Sequence, residues 1–302
     1  MDEMPVVVGA DGSDESLRAV EWAALEADRR RVPLRIVSAP APLPRMRSPY
    51  LSEAAVANAL RGMAARNLDL AVERAAEVTQ GLVIETDLLS GPAAVAVADC
   101  GHGASTLVLG ARGSGRPGAM MLGSVSQHGV AHAPCPVVVV PDEALAVQHE
   151  IAVGIRDLQD GQGALAFAFE EAELRGAGLL AVHVVRRIPP KPAEGVPAYD
   201  PELASAAISR RQMEDMLAAW REKYPTVKVT ADVAPARPAQ VLASLSARAD
   251  LLVIGKRTAP DPVIGSIRNA VLIHARGPVA IVPAEVQVTA GVPPVRDLLP
   301  SA

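Results

Sequence analysis

The residues best suited to chemistry lie in one stretch, "GARGSGRPGAMMLGSVSQHG" at positions 110–129. Glycine stands at 110, 113, 115, 118, 123 and 129, directly after the apolar run Leu107-Val108-Leu109. Glycine at that density weakens any helix or strand interior, so the stretch reads as a loop whose backbone approaches something closely. Backbone without Cβ atoms lets amide N–H groups converge. The following "SVSQHGVAHA" (124–133) reads as a helix closed by Pro134, and its N-terminus adds more N–H groups and the positive end of a dipole. Ser124 and Ser126 supply hydroxyls in the first turn, while Arg112 and Arg116 supply positive charge. An oxyanion such as a phosphate group suits that set. A surface loop without a ligand is the plainer alternative.

Known phosphate loops with other signatures do not fit. Walker A needs Gly, four residues, then Gly-Lys-Ser/Thr, and "GKR" at 255–257 is not one. Gly113, Gly115 and Gly118 match G-x-G-x-x-G, but the match follows a fourth strand, contains Pro117, and meets "VVVV" where a ribose-binding carboxylate should stand. No G-x-S-x-G elbow is present, which argues against a serine hydrolase of that type. His128 and His132 are four apart without an HExxH pattern, so a helix-surface pair is preferred to a zinc site.

The elements that must position this loop form a repeat. "PVVVG" (5–9), "LRIVSA" (34–39), "GLVIETDLL" (81–89), "TLVLG" (106–110) and "PVVVVP" (136–141) read as strands separated by Ala-rich helical segments such as 16–30 and 52–78. Short β-branched runs between helices imply βαβ units and a doubly wound sheet. The second half copies the order with "IAVG" (151–154), "LLAVHVV" (179–185), "LLVIG" (251–255) and "GPVAIVP" (277–283). Gly9 pairs with Gly154 and Gly110 with Gly255 at an offset of 145, whereas Gly123 pairs with Gly265 and His132 with His274 at 142. Three residues are therefore lost inside the glycine loop itself. The expected architecture is α/β: two tandem Rossmann-like domains, each a five-stranded parallel sheet with helices on both faces. Domain one spans 1–143, domain two 150–286, and a loosely ordered tail 287–302. Proline-rich segments at 40–50 and 186–201 read as mobile crossover loops. Trp22 and its counterpart Phe167 read as core packing of the first helix in each copy.

Composition narrows the function classes. Half of the chain is apolar but only 2% aromatic, net charge is −5 and pI about 5.7, which speaks against general attraction to nucleic acid or anionic membranes. No run is long enough to span a membrane, and no secretory signal is visible at the N-terminus. Cys100 and Cys135 are too few for a disulfide framework and read as buried thiols. A cytoplasmic protein is expected.

Gly110-x-x-Gly113, nine residues, then Gly123-Ser124 resembles the G-2x-G-9x-G-S/T motif of ATP-binding universal stress proteins. "SVSQHGVAHAPCPVVVVP" and the opening "VVVGADGSDES" are similar to the same family, and the resemblance covers essentially the whole chain as two tandem domains. It implies ATP, with Mg²⁺, bound in the first copy. Gly110, Gly113, Gly123 and Ser124 would wrap the ribose and phosphates, with the Val125 amide and Ser126 hydroxyl at the phosphate end. Gly115, Arg112 and Arg116 belong to the same nucleotide-facing loop. Asp11 would meet the ribose or a metal-bound water, with Gly9 and Ala10 alongside, and Ala39 would touch the adenine. An acidic residue that merely favours the start of the first helix is the other reading of Asp11.

The second copy departs from the motif. Gly113 becomes Thr258, the spacer shrinks to six residues with two prolines, and Asp11 becomes Arg156. This half is expected to bind ATP poorly. The whole is expected to act as a nucleotide-dependent regulator in stress response or growth control with an unidentified protein partner; a slow ATPase, a phosphotransferase or a nucleotide-free scaffold are the rivals. The family pairs domains through the last strand, so the two copies are expected to form a pseudo-dimer, with homo-oligomerisation through the same strand of another chain.

Overall fold

The computed structural model describes residues 4–42, 52–113, 122–143, 147–156, 161–186, 201–256 and 267–284, without the side chains of residues 186, 201–207 and 235. The C-terminal tail and most of both proline-rich segments lie outside the described residues.

Copy one runs β1 (Val6–Gly9), α1 (Asp14–Arg30), β2 (Leu34–Ser38), α2 (Glu53–Val78), β3 (Ile84–Leu88), α3 (Ala93–Asp99), β4 (Thr106–Gly110), α4 (Ser124–His132) and β5 (Val137–Val140). Copy two runs β6 (Glu150–Ile155), α5 (Gln162–Arg175), β7 (Gly178–Arg186), α6 (Pro201–Lys223), β8 (Val229–Ala236), α7 (Pro238–Ser246), β9 (Leu251–Gly255), α8 (Ile267–His274) and β10 (Val279–Val282). Every strand named from the sequence is present, shortened by a residue or three at some ends. All pairings within a copy are parallel.

The ten described strands form one sheet in the order β3-β2-β1-β4-β5-β10-β9-β6-β7-β8. Strands alternate their side chains between two cores, as the pleat demands. Val6, Val8, Val138 and Val140 face α1, α2, α5 and α6, whereas Val7, Val137 and Val139 face α3, α4, α7 and α8. Both faces are covered, which explains why the strands read as continuous apolar runs.

The copies meet where β5 pairs antiparallel with β10, Val138 standing opposite Ala280. Those two residues are themselves counterparts at the 142 offset, so a pseudo-two-fold axis passes between them. The expected pseudo-dimer is thus realised within one chain. It also consumes the edges of β5 and β10, so the homo-oligomer expected through a last strand finds that edge occupied. The free sheet edges are β3 and β8.

A second contact across the axis joins α1 to α5. Glu26 and Glu171, both 0% exposed, are counterparts at the 145 offset, as are Arg30 and Arg175. Arg30 binds Glu26, Glu170 and Glu171, while Arg175 binds Glu171 and Glu26. Each guanidinium also lies over the aromatic ring of the other copy: Arg30 over Phe167 and Arg175 over Trp22, both at 5.6 Å. Trp22 and Phe167 therefore belong to the seam between copies, which their reading as simple core residues missed. Cys135 is buried and Cys100 only half-buried; burial pushes the Cys135 thiol up to about 11.

Candidate functional site

Strand order reverses between β1 and β4, and ligands of open α/β sheets collect beyond the C-terminal strand ends at such a point. Residues 10–13 leave β1 there, and residues 111–113 leave β4.

The turn after β1 is built around Asp11. Gly12 adopts φ +79°, a left-handed conformation that glycine takes without a Cβ penalty. This brings Ser13 back so that its amide (3.1 Å) and hydroxyl (2.5 Å) both donate to Asp11 Oδ1. Ser13 is also the N-cap of α1, accepting from the Ser16 amide at 3.2 Å. Asp11 thus joins the helix start, as its plainer reading held, and its other oxygen lies against the glycine loop. A Cβ built on Gly113 would stand 2.4 Å from Asp11 Oδ2, closer than any real Cβ contact. The two residues that sequence reasoning placed on the same ligand, 102 positions apart, are in contact.

Each motif glycine is accounted for differently. A Cβ at Gly110 would press on the Glu15 carbonyl at 3.0 Å, so that glycine serves the packing of β4 against α1. Gly9 likewise sits against Leu109. Gly123 has no such constraint: its φ of −61° suits any residue, and its nearest neighbour to a Cβ is 3.5 Å away. A Cβ there would make only ordinary contact with Ala111 and Arg112. Among the described residues no side chain caps α4. The amides of Ser124, Val125 and Ser126 have no intrahelical partner by construction and none is found for them among the described residues. Ser124 is exposed and Val125 half-buried.

Three groups expected near the ligand are engaged within the protein. Ser126 is 4% exposed and its hydroxyl donates to the Gly110 carbonyl at 2.6 Å, so it braces α4 against β4 instead of offering a proton outward. Arg112 pairs with Asp142, just past β5; adjacent strand ends bring the two together. Ala10 is buried at 5% exposure, its amide bonded to Val37. Ala39 follows β2 and stays half-buried. Gly115 and Arg116 lie outside the described residues, as do Thr258, Gly265 and Ser266 of the second copy.

A small pocket of about 40 Å³ lies beside Arg112 and Asp142, lined on its far side by Leu272 and Ile273 of α8 and by Ala275 just after it. It has room for about one water and is far too small for a nucleotide. His128 and His132 stack at 4.0 Å on α4, and no group of three or more metal-type ligands occurs among the described residues. Likewise, no described helix is long and apolar enough to cross a membrane.

Sequence reasoning missed Ser13, Asp142 and the buried Glu–Arg cluster. Ser13 carried a signal, since a serine just before a helical run is an N-cap candidate. The cluster carried one too: Glu-x-x-x-Arg recurs at 26–30 and 171–175 in otherwise apolar helix faces.

A model of the universal stress protein family matches residues 4–141 and 149–283. The universal stress protein Rv2005c of Mycobacterium tuberculosis (strain H37Rv) is 33% identical over 292 residues, spanning 91% of this chain and 96% of its own. Rv2623 of the same strain is 29% identical over 289 residues, spanning 91% and 95%. Among solved structures, a universal stress protein of Archaeoglobus fulgidus aligns over 92% of this chain and 96% of its own, with a TM-score of 0.68 and 16% identity, a likeness of fold.

Proposed function

This chain belongs to the universal stress protein family, and from that premise we propose that its first copy binds ATP with Mg²⁺ and acts as a nucleotide-dependent regulator in stress response or growth control. The observation that carries the reading is the approach of Gly113 to Asp11 beside the uncapped N-terminus of α4. It puts a carboxylate and the first amides of α4 together beyond the C-terminal ends of β1 and β4.

In this reading the triphosphate meets the amides of Ser124 and Val125, where the helix N-terminus favours anions; the Gly123 amide is held by the Ala111 carbonyl at 2.9 Å. Asp11, fixed by Ser13, faces the ribose or a metal-bound water, and Ala39 borders the adenine. Gly123 leaves room for a phosphate oxygen where any larger residue would intrude. Arg112 begins paired to Asp142; a half-exposed pair of this kind is worth about 1 kcal/mol or less, so a polyphosphate can draw the guanidinium across. Mg²⁺ keeps several waters and takes one or two carboxylates plus phosphates, which the Asp11 carboxylate beside a triphosphate fits. The ion would neutralise phosphate charge there.

The second copy replaces Asp11 with Arg156, and we read it as a scaffold without an ATP site. The regulatory partner would be a protein that distinguishes loaded from empty first copies, and the cytoplasm is the compartment that supplies the nucleotide. Titration of Mg-ATP into the Gly113→Thr, Gly123→Glu double variant tests the site. Binding should be lost, because the threonine displaces Asp11 and the glutamate sets a negative charge at the phosphate end. Unchanged affinity in a folded double variant would count against the site.

A further inference from the structure

The two sides of the seam differ at one matched position. Ala111 follows β4 and Lys256 follows β9, and each anchors its amide to the neighbouring last strand, on Val140 at 2.8 Å and Val282 at 2.6 Å. On the Ala111 side the seam is hollow, the pocket described above lying between Ala111 and the end of α8. On the other side the lysine side chain reaches across the seam. Its Nζ donates to the Ala131 carbonyl at 2.6 Å, in the last turn of α4.

We propose that Lys256, contributed by the second copy, is a positioning residue for the phosphate-binding helix of the first. Ala131 belongs to the last four residues of α4, whose carbonyls have no partner within the helix. An ammonium there satisfies one of them and stands at the negative end of the dipole. The opposite end of the same nine-residue helix presents the amides of Ser124 and Val125. Fixing the C-terminus from across the seam holds those amides in place. Lys256 is half-buried; burial and the Arg268 guanidinium pull its pKa down while Cys135 pulls it up. The loop start that no longer carries an intact glycine motif in copy two has thereby become part of the site in copy one.

This proposal rests on the ATP reading only for its ligand, and the test separates the two. Wild-type protein, Lys256→Met and Lys256→Arg are compared by amide hydrogen exchange over 124–132 and by titration with Mg-ATP and with adenosine. The methionine variant should exchange faster in α4 and bind Mg-ATP about twofold more weakly, the low end of what a charge does at its own helix terminus. Adenosine affinity should hold, and arginine should restore both readouts. Unchanged exchange in the methionine variant, or equal loss of ATP and adenosine affinity, overturns the proposal. A wild type that binds no ATP defeats the proposed function instead, while the exchange comparison still decides whether Lys256 holds α4.

Discussion

Along the seam, the two copies carry the same chemistry at matched positions. Glu26 answers Glu171, Arg30 answers Arg175, and an aromatic ring lies under each guanidinium. At the outer strand ends they part. Asp11 becomes Arg156, the capped 17-residue α1 becomes a 14-residue α5 with a glycine at its N-cap, and Gly110, pressed on α1, becomes Gly255, which among the described residues makes an ordinary contact with Ala164 at 3.6 Å. The physical difference is in what a substitution leaves behind. A change in the seam strands a buried charge, whereas a change at a solvent-facing strand end costs the fold little. A duplicated domain can therefore diverge at its strand ends and keep its partner.

The largest expected effect comes from breaking the seam. Arg175→Ala leaves Glu26 and Glu171 short of a guanidinium in a buried place, and removing one member of such a cluster costs about 3–5 kcal/mol. Urea unfolding followed by circular dichroism should show that loss; a change within about 0.5 kcal/mol would mean the cluster is hydrated and the seam is held by β5 and β10 alone. Replacing all four charged residues by apolar ones of similar volume need not destabilise, so the cluster is best understood as fixing which helices meet.

A smaller effect sharpens the same comparison. Burial pushes the Glu171 carboxyl up to about 7 from its usual 4.5, with Arg175 and Arg30 opposing and Glu26 assisting. Burial also raises Glu26, but Arg175 and Arg30 outweigh it and leave that carboxyl lowered. The folded chain thus keeps a proton on Glu171 through a range in which the unfolded chain has released it. The stability this contributes is fully present below about 4.5 and is lost as pH rises to about 7. Glu26 acts in the opposite sense below 4.5. Unfolding midpoints measured across that window should decline less steeply with pH in Glu171→Gln than in the wild type. Parallel profiles would remove Glu171 from the explanation.

Much of this was legible in the residues. The residues marked nine strands, because β-branched runs and Ala-rich helices leave little choice of element, and the repeat implied a tenth, β8, whose run "VTADVAPA" carries too few β-branched residues to stand out. The glycine spacing named the loop, and the position of Asp11 after a strand brought the second half of the site to the same edge. What stayed hidden depends on distances that no spacing encodes. Ser126 looks like an outward hydroxyl at the start of a helix, yet the turn of α4 aims it at Gly110. Arg112 looks like loose positive charge until β5 delivers Asp142 beside it. Lys256 has no pattern at all; only the antiparallel junction of β5 and β10 carries it to the end of α4. The seam cluster could have been suspected, since matched Glu and Arg on apolar helix faces in both copies have few other uses.

The central claim is that the first copy holds a nucleotide and the second does not, and calorimetric titration of the intact chain with Mg-ATP tests it most directly. The account predicts one ATP per chain, with a site that Gly113→Thr, Gly123→Glu abolishes. Two equivalents per chain, or none at millimolar ATP, would contradict it.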